Sequence, residues 1–364
     1  MNDIRINLHS DTQTKPTPAM KDAMAAAPLG DEQMMEDPTT NALQEKVAAL
    51  LGKEAAVFMP SGTMCNVAAI AVHCRAGDEI LCDRTAHIVN AEAGGLAVFA
   101  GAVTRTLDGT HGIFSAEHLE AAIRPDRRHA PRSRMVEIEQ TANAGGGTIW
   151  PLETVQAVGT FAKKHGLVLH MDGARLLNAV VASGIAAKDY AAPCDTLWID
   201  LSKGLGCPIG GVLAGSRGFI DEAWRWKQRL GGALRQSGMM AAAGIYALDY
   251  HVDRLVEDHA NARLFAERVA NLAGISVDLE TVQTNMIFFD VSGAGITAHQ
   301  MQAGLAKRGV RISAVSDARL RAVTHLDVSS ADVEDAADAV RAVLEETPKR
   351  TSGMPAGRTA EQVL

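Results

Sequence analysis

Paired cysteine spacing is missing from this chain: Cys65, Cys74, Cys82, Cys194 and Cys207 form no CxxC unit. Reduced or buried thiols fit that pattern better than a disulfide scaffold or a structural zinc site. A basic excess is missing too. With 35 Lys plus Arg against 43 Asp plus Glu, the formal charge is -8, and the general field repels nucleic acid. The one basic cluster, 124–134, alternates with Pro125, His129 and Pro131 and reads as a solvated loop rather than a phosphate-backbone footprint. No positive segment followed by an apolar core opens the chain, so a secretory signal is not expected. The small-residue stretch 239–247 is interrupted by Gly244 and followed by Asp249, and no apolar run reaches bilayer length. A cytoplasmic protein is expected. Neither a GxxxxGK[ST] loop nor a GxGxxG fingerprint is present, and no repeat of solenoid period is seen. No metal site is expected, since His165 and His170 read as unrelated positions around a strand.

What is present is a chain of 364 residues, 47% hydrophobic and 21% charged, long enough for one large domain and a smaller one with a cleft between them. Short apolar or β-rich runs at 55–59, 79–82, 135–139, 167–171, 196–199 and 211–214 alternate with helical patterns at 18–27, 39–51, 64–74, 151–165 and 174–183. That alternation predicts an α/β fold with a mostly parallel sheet covered on both faces. Polar residues gather beyond several strand ends, where open α/β sheets build sites. A long helical stretch from Gly238 towards Glu267 leads out of the first domain. Strands at 275–279, 286–289 and 310–312 with helices at 297–308 and 330–345 then make a second one. The expected division is an N-terminal arm at 1–14, a large domain at 15–248, a small C-terminal α+β domain at 249–346 and a poorly ordered tail at 347–364.

Three local patterns carry chemistry. In Trp198-Ile199-Asp200-Leu201-Ser202-Lys203-Gly204, an apolar strand ends in a lysine among turn residues, placing an amine at a sheet edge where it could form a Schiff base with an aldehyde cofactor. In His170-Met171-Asp172-Gly173-Ala174-Arg175, Asp172 could keep a pyridinium nitrogen protonated, or could simply cap the following helix. Ser61-Gly62-Thr63 joins a strand to a helix whose N-terminal N–H groups could hold a phosphate, although the same pattern caps inert helices.

Together with Ser10-Asp11-Thr12-Gln13-Thr14-Lys15-Pro16, Glu36-Asp37-Pro38-Thr39, Leu230-Gly231-Gly232-Ala233-Leu234-Arg235-Gln236 and Arg321-Ala322-Val323-Thr324-His325, these segments give a resemblance from about Ile4 through Glu345. The chain resembles the low-specificity threonine aldolases, pyridoxal 5'-phosphate enzymes of the aspartate-aminotransferase-like fold type I. The resemblance implies Lys203 as the cofactor lysine and Asp172 as the partner of the pyridine nitrogen. Gly62 and Thr63, with Ser61 at the same turn, would hold the phosphate with Arg235 of a neighbouring subunit, so a homo-oligomer, dimer or tetramer, is expected. His87 would lie on the cofactor ring near the substrate hydroxyl. Ser10, Arg175 and Arg321 would clamp the substrate α-carboxylate, Arg175 also touching the cofactor. Glu92 stays outside the expected catalytic set, and His170 is expected in the core or behind the ring.

Two departures bear on specificity. Where the family commonly has Tyr-Gly, this chain has Met34-Met35, and Ala142 stands where the family has a histidine in Glu139-Gln140-Thr141-Ala142-Asn143. A less polar, more adaptable pocket follows, and with it a preference for a bulkier substrate such as phenylserine or an α-alkylated β-hydroxy amino acid. An unchanged specificity, with water or His87 supplying the missing contact, stands beside it. The expected reaction is retro-aldol cleavage of Cα–Cβ, giving glycine or an α-alkyl amino acid and an aldehyde. Racemisation, transamination or β-elimination on the same cofactor, and a non-catalytic homologue, are the alternatives.

Overall fold

The computed structural model describes residues 4–346, so the expected tail at 347–364 lies outside the described residues. In chain order the strands are β1 (Ile6–Asn7), β2 (Ala55–Met59), β3 (Asp78–Asp83), β4 (Val103–Leu107), β5 (Arg132–Glu139), β6 (Val168–Gly173), β7 (Thr196–Asp200), β8 (Gly211–Gly215), β9 (Ser276–Val277), β10 (Met286–Asp290), β11 (Val310–Arg311), β12 (Ser313–Ala314) and β13 (Arg319–Val323). The seven-stranded sheet has the order β2-β8-β7-β6-β5-β3-β4. Only β8 runs against its neighbours; every other adjacent pair is parallel. The crossovers are helical, as parallel neighbours require, and they cover both faces. Among the described residues no helix is long and apolar enough to cross a membrane.

Alternation along the central strands sorts the two faces of this sheet. Val136, Ile138, Leu169, Met171, Leu197 and Ile199 join the largest apolar cluster. The opposite face carries Glu137 and Glu139 on β5, His170 and Asp172 on β6, and Trp198 on β7, in the register Glu137↔His170, Glu139↔Asp172 and Asp172↔Trp198. Polar groups therefore collect on one side, towards the helix Gly62–His73. The antiparallel connection β7 to β8 is the segment that contains Lys203.

β12-β13-β10-β9 form an antiparallel sheet, and β1 pairs in parallel with β11. Ile6 and Leu8 pack in the same apolar cluster as Phe265, Phe289 and Leu320. Leu8 also bonds across, its N–H donating to Arg311 O and its carbonyl accepting from Val323 N at 2.8 and 2.9 Å. The arm is thereby fixed to the C-terminal segment, and Ser10 and Asp11 follow directly from that anchored stretch. The long helix expected from Gly238 towards Glu267 is two helices, Gly238–Tyr250 and Leu255–Ala270. At the break, buried His251 places Nδ1 2.7 Å from Leu205 O, so the chain leaves its helical course where its ring meets the lysine segment.

Candidate active site

The Lys203 backbone is held from two sides, its carbonyl accepting from Thr14 Oγ1 at 2.8 Å and from Gly206 N at 2.9 Å. Its Nζ lies 3.4 Å from Asp200 Oδ2 and 5.8 Å from the centre of the Trp198 ring. A sheet edge thus presents a partly covered amine whose main chain cannot drift.

Asp172 is buried beside it on β6. Its Oδ1 accepts from Ala174 N at 3.0 Å, so the local capping bond exists, while Oδ2 accepts from Asn66 Nδ2 at 2.9 Å. The same Asn66 nitrogen donates to Glu92 Oε1 at 2.8 Å, and Glu92 Oε1 is 2.8 Å from His87 Nδ1. On its other side, Asn66 Oδ1 accepts from Trp198 Nε1 at 2.7 Å and lies 3.2 Å from His170 Nε2. One buried amide therefore links the two carboxylates and fixes the indole. His170 sits behind Asp172 as a core residue, with burial pulling its pKa down to about 3.

His87 begins beyond β3, its backbone N–H donating to Glu139 Oε1 at 2.9 Å. The hydrogen bond to Glu92 raises its pKa against the opposing effect of burial, with Asp172 adding to the rise. Burial also raises Glu92, so the pair holds a proton firmly between them. Glu139, buried and close to Asp172, is pushed up to about 7. Glu137 is also buried, with neither carboxyl oxygen bonded, and burial followed by the neighbouring acids pushes it well above the usual carboxylate range.

Across the cavity, Arg175 Nε and Nη2 each meet an oxygen of buried Asp11 at 2.7 Å, and Asn285 Nδ2 donates to the same carboxylate at 3.1 Å. Burial would raise Asp11, but the Arg175 guanidinium overcomes it and holds the carboxyl well below its ordinary range. This bidentate pairing fixes the guanidinium plane and leaves Nη1 outside the pair. Arg321 donates weakly to Asn143 Oδ1 and His9 O, at 3.3 and 3.4 Å, and its buried Nε has no partner. An unsatisfied guanidinium donor beside a second arginine is the setting for an anionic ligand. Ser10, Thr12, His87, Glu139, Thr141, Asn143, Ala174, Arg175, Lys203 and Arg321 line a cavity of about 160 Å³.

The structure therefore brings Ser10, His87, Arg175, Lys203 and Arg321 onto one cavity, with Asp172 joined to His87 through Asn66 and Glu92. Ser61, Gly62 and Thr63 stand at the start of the helix Gly62–His73, where Ser61 Oγ caps Met64 N at 3.2 Å. A Cβ on Gly62 would lie 2.1 Å from the Trp198 ring, so packing against the indole already requires glycine there. Arg235, paired with Asp31 at 2.9 Å, is 62% exposed, and Met34 and Met35 are 66% and 69% exposed; none of the three lines the cavity. Ala142 is buried, its Cβ facing Gly112 and Gly145. Asp11, Asn66, Glu92, Glu139 and Asn143 organise the site without having been singled out for it in the sequence. Asn66 carried a signal, as a polar residue in the apolar helical run Cys65–Ile70.

Comparison with known proteins gives the family and the fold. The family model described as Beta-eliminating lyase matches residues 7–292. The low specificity L-threonine aldolase of Escherichia coli strain K12 is 42% identical over 342 residues, covering 93% of this chain and 99% of that protein. The chain belongs to the low-specificity L-threonine aldolase family. Its fold is that of Leishmania major threonine aldolase, with a TM-score of 0.80 at 17% identity over 93% of this chain and 99% of that one. An aspartate aminotransferase of Thermus thermophilus superposes with a TM-score of 0.71 at 15% identity over 94% of this chain and 92% of that one, as expected for fold type I. Membership of the aldolase family makes this a carbon–carbon lyase and implies dependence on pyridoxal 5'-phosphate.

The side chains fit that cofactor. Glu92, Glu137, Glu139 and Asp172 are buried close to one another, and burial raises the first three above the usual carboxylate range. The Asp172 carboxylate would accept a protonated ring nitrogen, and Lys203 would offer the amine for an aldehyde. His87, Glu92 and Asp172 also bring possible metal-ligating atoms within 4.8 Å of one another, but Asn66 already occupies Glu92 Oε1 and Asp172 Oδ2.

Proposed function

We propose that the chain cleaves the Cα–Cβ bond of β-hydroxy-α-amino acids, threonine and allo-threonine among them, at the cavity formed by Lys203, His87, Arg175 and Arg321. The observation that carries this reading is the convergence of an amine, an imidazole and two arginines on one small cavity, with buried Asp172 tied to that imidazole through Asn66 and Glu92. When bound, pyridoxal phosphate supplies the electron sink for the pair released as Cα–Cβ breaks. Lys203 would hold it through Nζ, Asp172 would favour a protonated ring nitrogen, and Ser61, Gly62 and Thr63 would offer a helix N-terminus to its phosphate.

Arg175 Nη1, Arg321 Nε and Ser10 Oγ grip the substrate α-carboxylate. Holding that group would fix the orientation of the substrate, which decides whether Cα–Cβ or the α-proton is lost. With Nδ1 donating to Glu92, the neutral ring of His87 presents Nε2 as a base for the β-hydroxyl proton, directly or through water; the tautomer follows from the hydrogen-bond network. The aldehyde leaves as Cα takes a proton, and glycine results.

Because Glu92 raises the pKa of His87, the base form is lost as pH falls through that raised value, and kcat/KM should show an acid limb there. Glu92→Gln removes the first cause of the rise and is expected to move this limb down by about one pH unit. A pH–rate profile of the two proteins checks it. An unmoved limb would take His87 out of the proton transfer.

The large unit at 15–248 carries the cofactor groups in this reading, and the C-terminal unit contributes Arg321. Arg235, Met34 and Met35 face outward on segments joined by Glu32 N to Arg235 O at 2.9 Å and by the buried Lys227–Glu32 ion pair at 2.6 Å. This supports a homo-oligomer in which they complete the cavity of another copy. A preference for bulky substrates would then arise from Met34 and Met35 of that copy, because Ala142 is buried against glycine backbone within its own chain. Glycine release by the cofactor-loaded protein from L-threonine, L-allo-threonine and L-threo-phenylserine tests the reading. Glycine from at least one of them supports it, the ranking measures the effect of the two methionines, and no glycine from any would sink it.

A further inference from the structure

Asp200 closes β7 three residues before Lys203, and its side chain is almost wholly covered. Oδ1 accepts from Ser202 N at 2.6 Å and from Ser202 Oγ at 2.8 Å, which fixes the carboxylate plane. Oδ2 is left facing Lys203 Nζ at 3.4 Å. The other titratable groups that act on this corner are Arg175, Asp11, Asp172, Cys65 and Cys207. Arg175 and Asp11 are committed to each other, and Asp172 is engaged with Asn66 and Ala174. Burial pushes both thiols far above their ordinary range, so they stay uncharged. Among the described residues, Lys203 is the one cation within ion-pair distance of Asp200.

We infer that Asp200 is a positioning residue for Lys203: it holds the ε-ammonium whenever that side chain is not bonded to the cofactor, and so favours exchange of the lysine for a substrate amine. The inference rests on the assignment of Lys203 as the cofactor lysine. In the exchange, a substrate ammonium replaces Nζ at the cofactor carbon. With the C=N nitrogen protonated before and after, the new C=N bond forms, the C=Nζ bond breaks, and two protons pass from the substrate nitrogen to Nζ, leaving the net charge unchanged. The released lysine then stands as an ammonium, and a fixed, partly desolvated carboxylate stabilises that product more than the bonded form. Without Asp200 the lysine has no such resting place, and its return competes better with the amino acid.

The test uses cofactor-loaded wild type and Asp200→Asn. Borohydride reduction followed by peptide mapping measures the fraction of cofactor bonded to Lys203 during a glycine titration. Propionate, a carboxylate without an amine, probes the clamp separately by its competition with glycine. Asp200→Asn is expected to trap cofactor on Lys203 normally when glycine is absent, yet to need about tenfold more glycine to empty it, with propionate affinity nearly unchanged. Ser202→Ala, which frees one bond to Oδ1, should shift the glycine titration in the same direction by a smaller factor and carries the test if Asp200→Asn does not fold. An unchanged glycine titration, or equal losses for glycine and propionate, would overturn the inference. Failure to trap cofactor on Lys203 in the wild type would remove the underlying assignment as well.

Discussion

Lys203→Ala should retain the fold and lose at least about a thousandfold in kcat, or roughly 4 kcal/mol of transition-state stabilisation. The side chain is 17% exposed, lines the cavity and has Asp200 as its ion-pair partner, so truncation enlarges that cavity and not the apolar core; its backbone bonds to Thr14 and Gly206 do not depend on the side chain. What disappears is the amine that holds the cofactor and receives it back after each turnover. Borohydride should then fix no cofactor to the segment 201–210. Turnover within about tenfold of wild type would place the cofactor elsewhere, because loss of an essential nucleophile costs far more than that.

Asp172→Asn should lower kcat by about a hundredfold to a thousandfold, with a loss of stability of about 1–3 kcal/mol. The substitution is isosteric and keeps an oxygen for one of the two bonds that Asp172 accepts, from Ala174 N and Asn66 Nδ2. An amide cannot hold a proton on the ring nitrogen by charge, so the electron sink weakens at the step where Cα–Cβ breaks. Steady-state kinetics combined with thermal unfolding separates the outcomes. A fall in kcat far beyond what a modest drop in melting temperature explains is expected, whereas a drop in stability with normal kcat would leave Asp172 as a helix cap.

Much of this architecture was legible because its signals are local. The run Ala55–Met59 is apolar, β-prone and closed by Pro60, and it forms the strand over the expected residues. Lys203 could be placed at a sheet edge because an apolar strand runs into glycines, although the sequence does not show that the next strand turns back antiparallel. The helix break at His251 was hidden because the residues on both sides keep helical character, and the contact that interrupts them, to Leu205, is distant in sequence. β4 and β13 escaped notice for another reason: Val103–Leu107 and Arg319–Val323 mix polar residues into short strands.

The site divides along the same line. Residues with distinctive chemistry at or beyond strand ends, Asp172 as the last but one residue of β6 and Lys203 and His87 past the ends of β7 and β3, stand out by position. Asn66 and Glu92 owe their importance to distant neighbours, Asn66 to Asp172 106 residues away and Glu92 to Asn66 26 residues away. Their geometry is a tertiary fact that no local spacing encodes. Asp11 is similar: its place in the segment Ser10–Pro16 was noted, but its bidentate grip on Arg175 spans 164 residues. Met34, Met35 and Arg235 mark the opposite limit, since their side chains project away from the cavity of their own chain.

The most direct measurement of the central claim is product analysis after the cofactor-loaded protein meets L-threonine or L-allo-threonine. Glycine and acetaldehyde in equal amounts, with neither ammonia nor a keto acid, are the predicted products of Cα–Cβ cleavage. Ammonia with 2-oxobutanoate, or epimerised threonine without glycine, would show that the Arg175–Arg321 clamp presents a different bond to the cofactor and would contradict the proposed reaction.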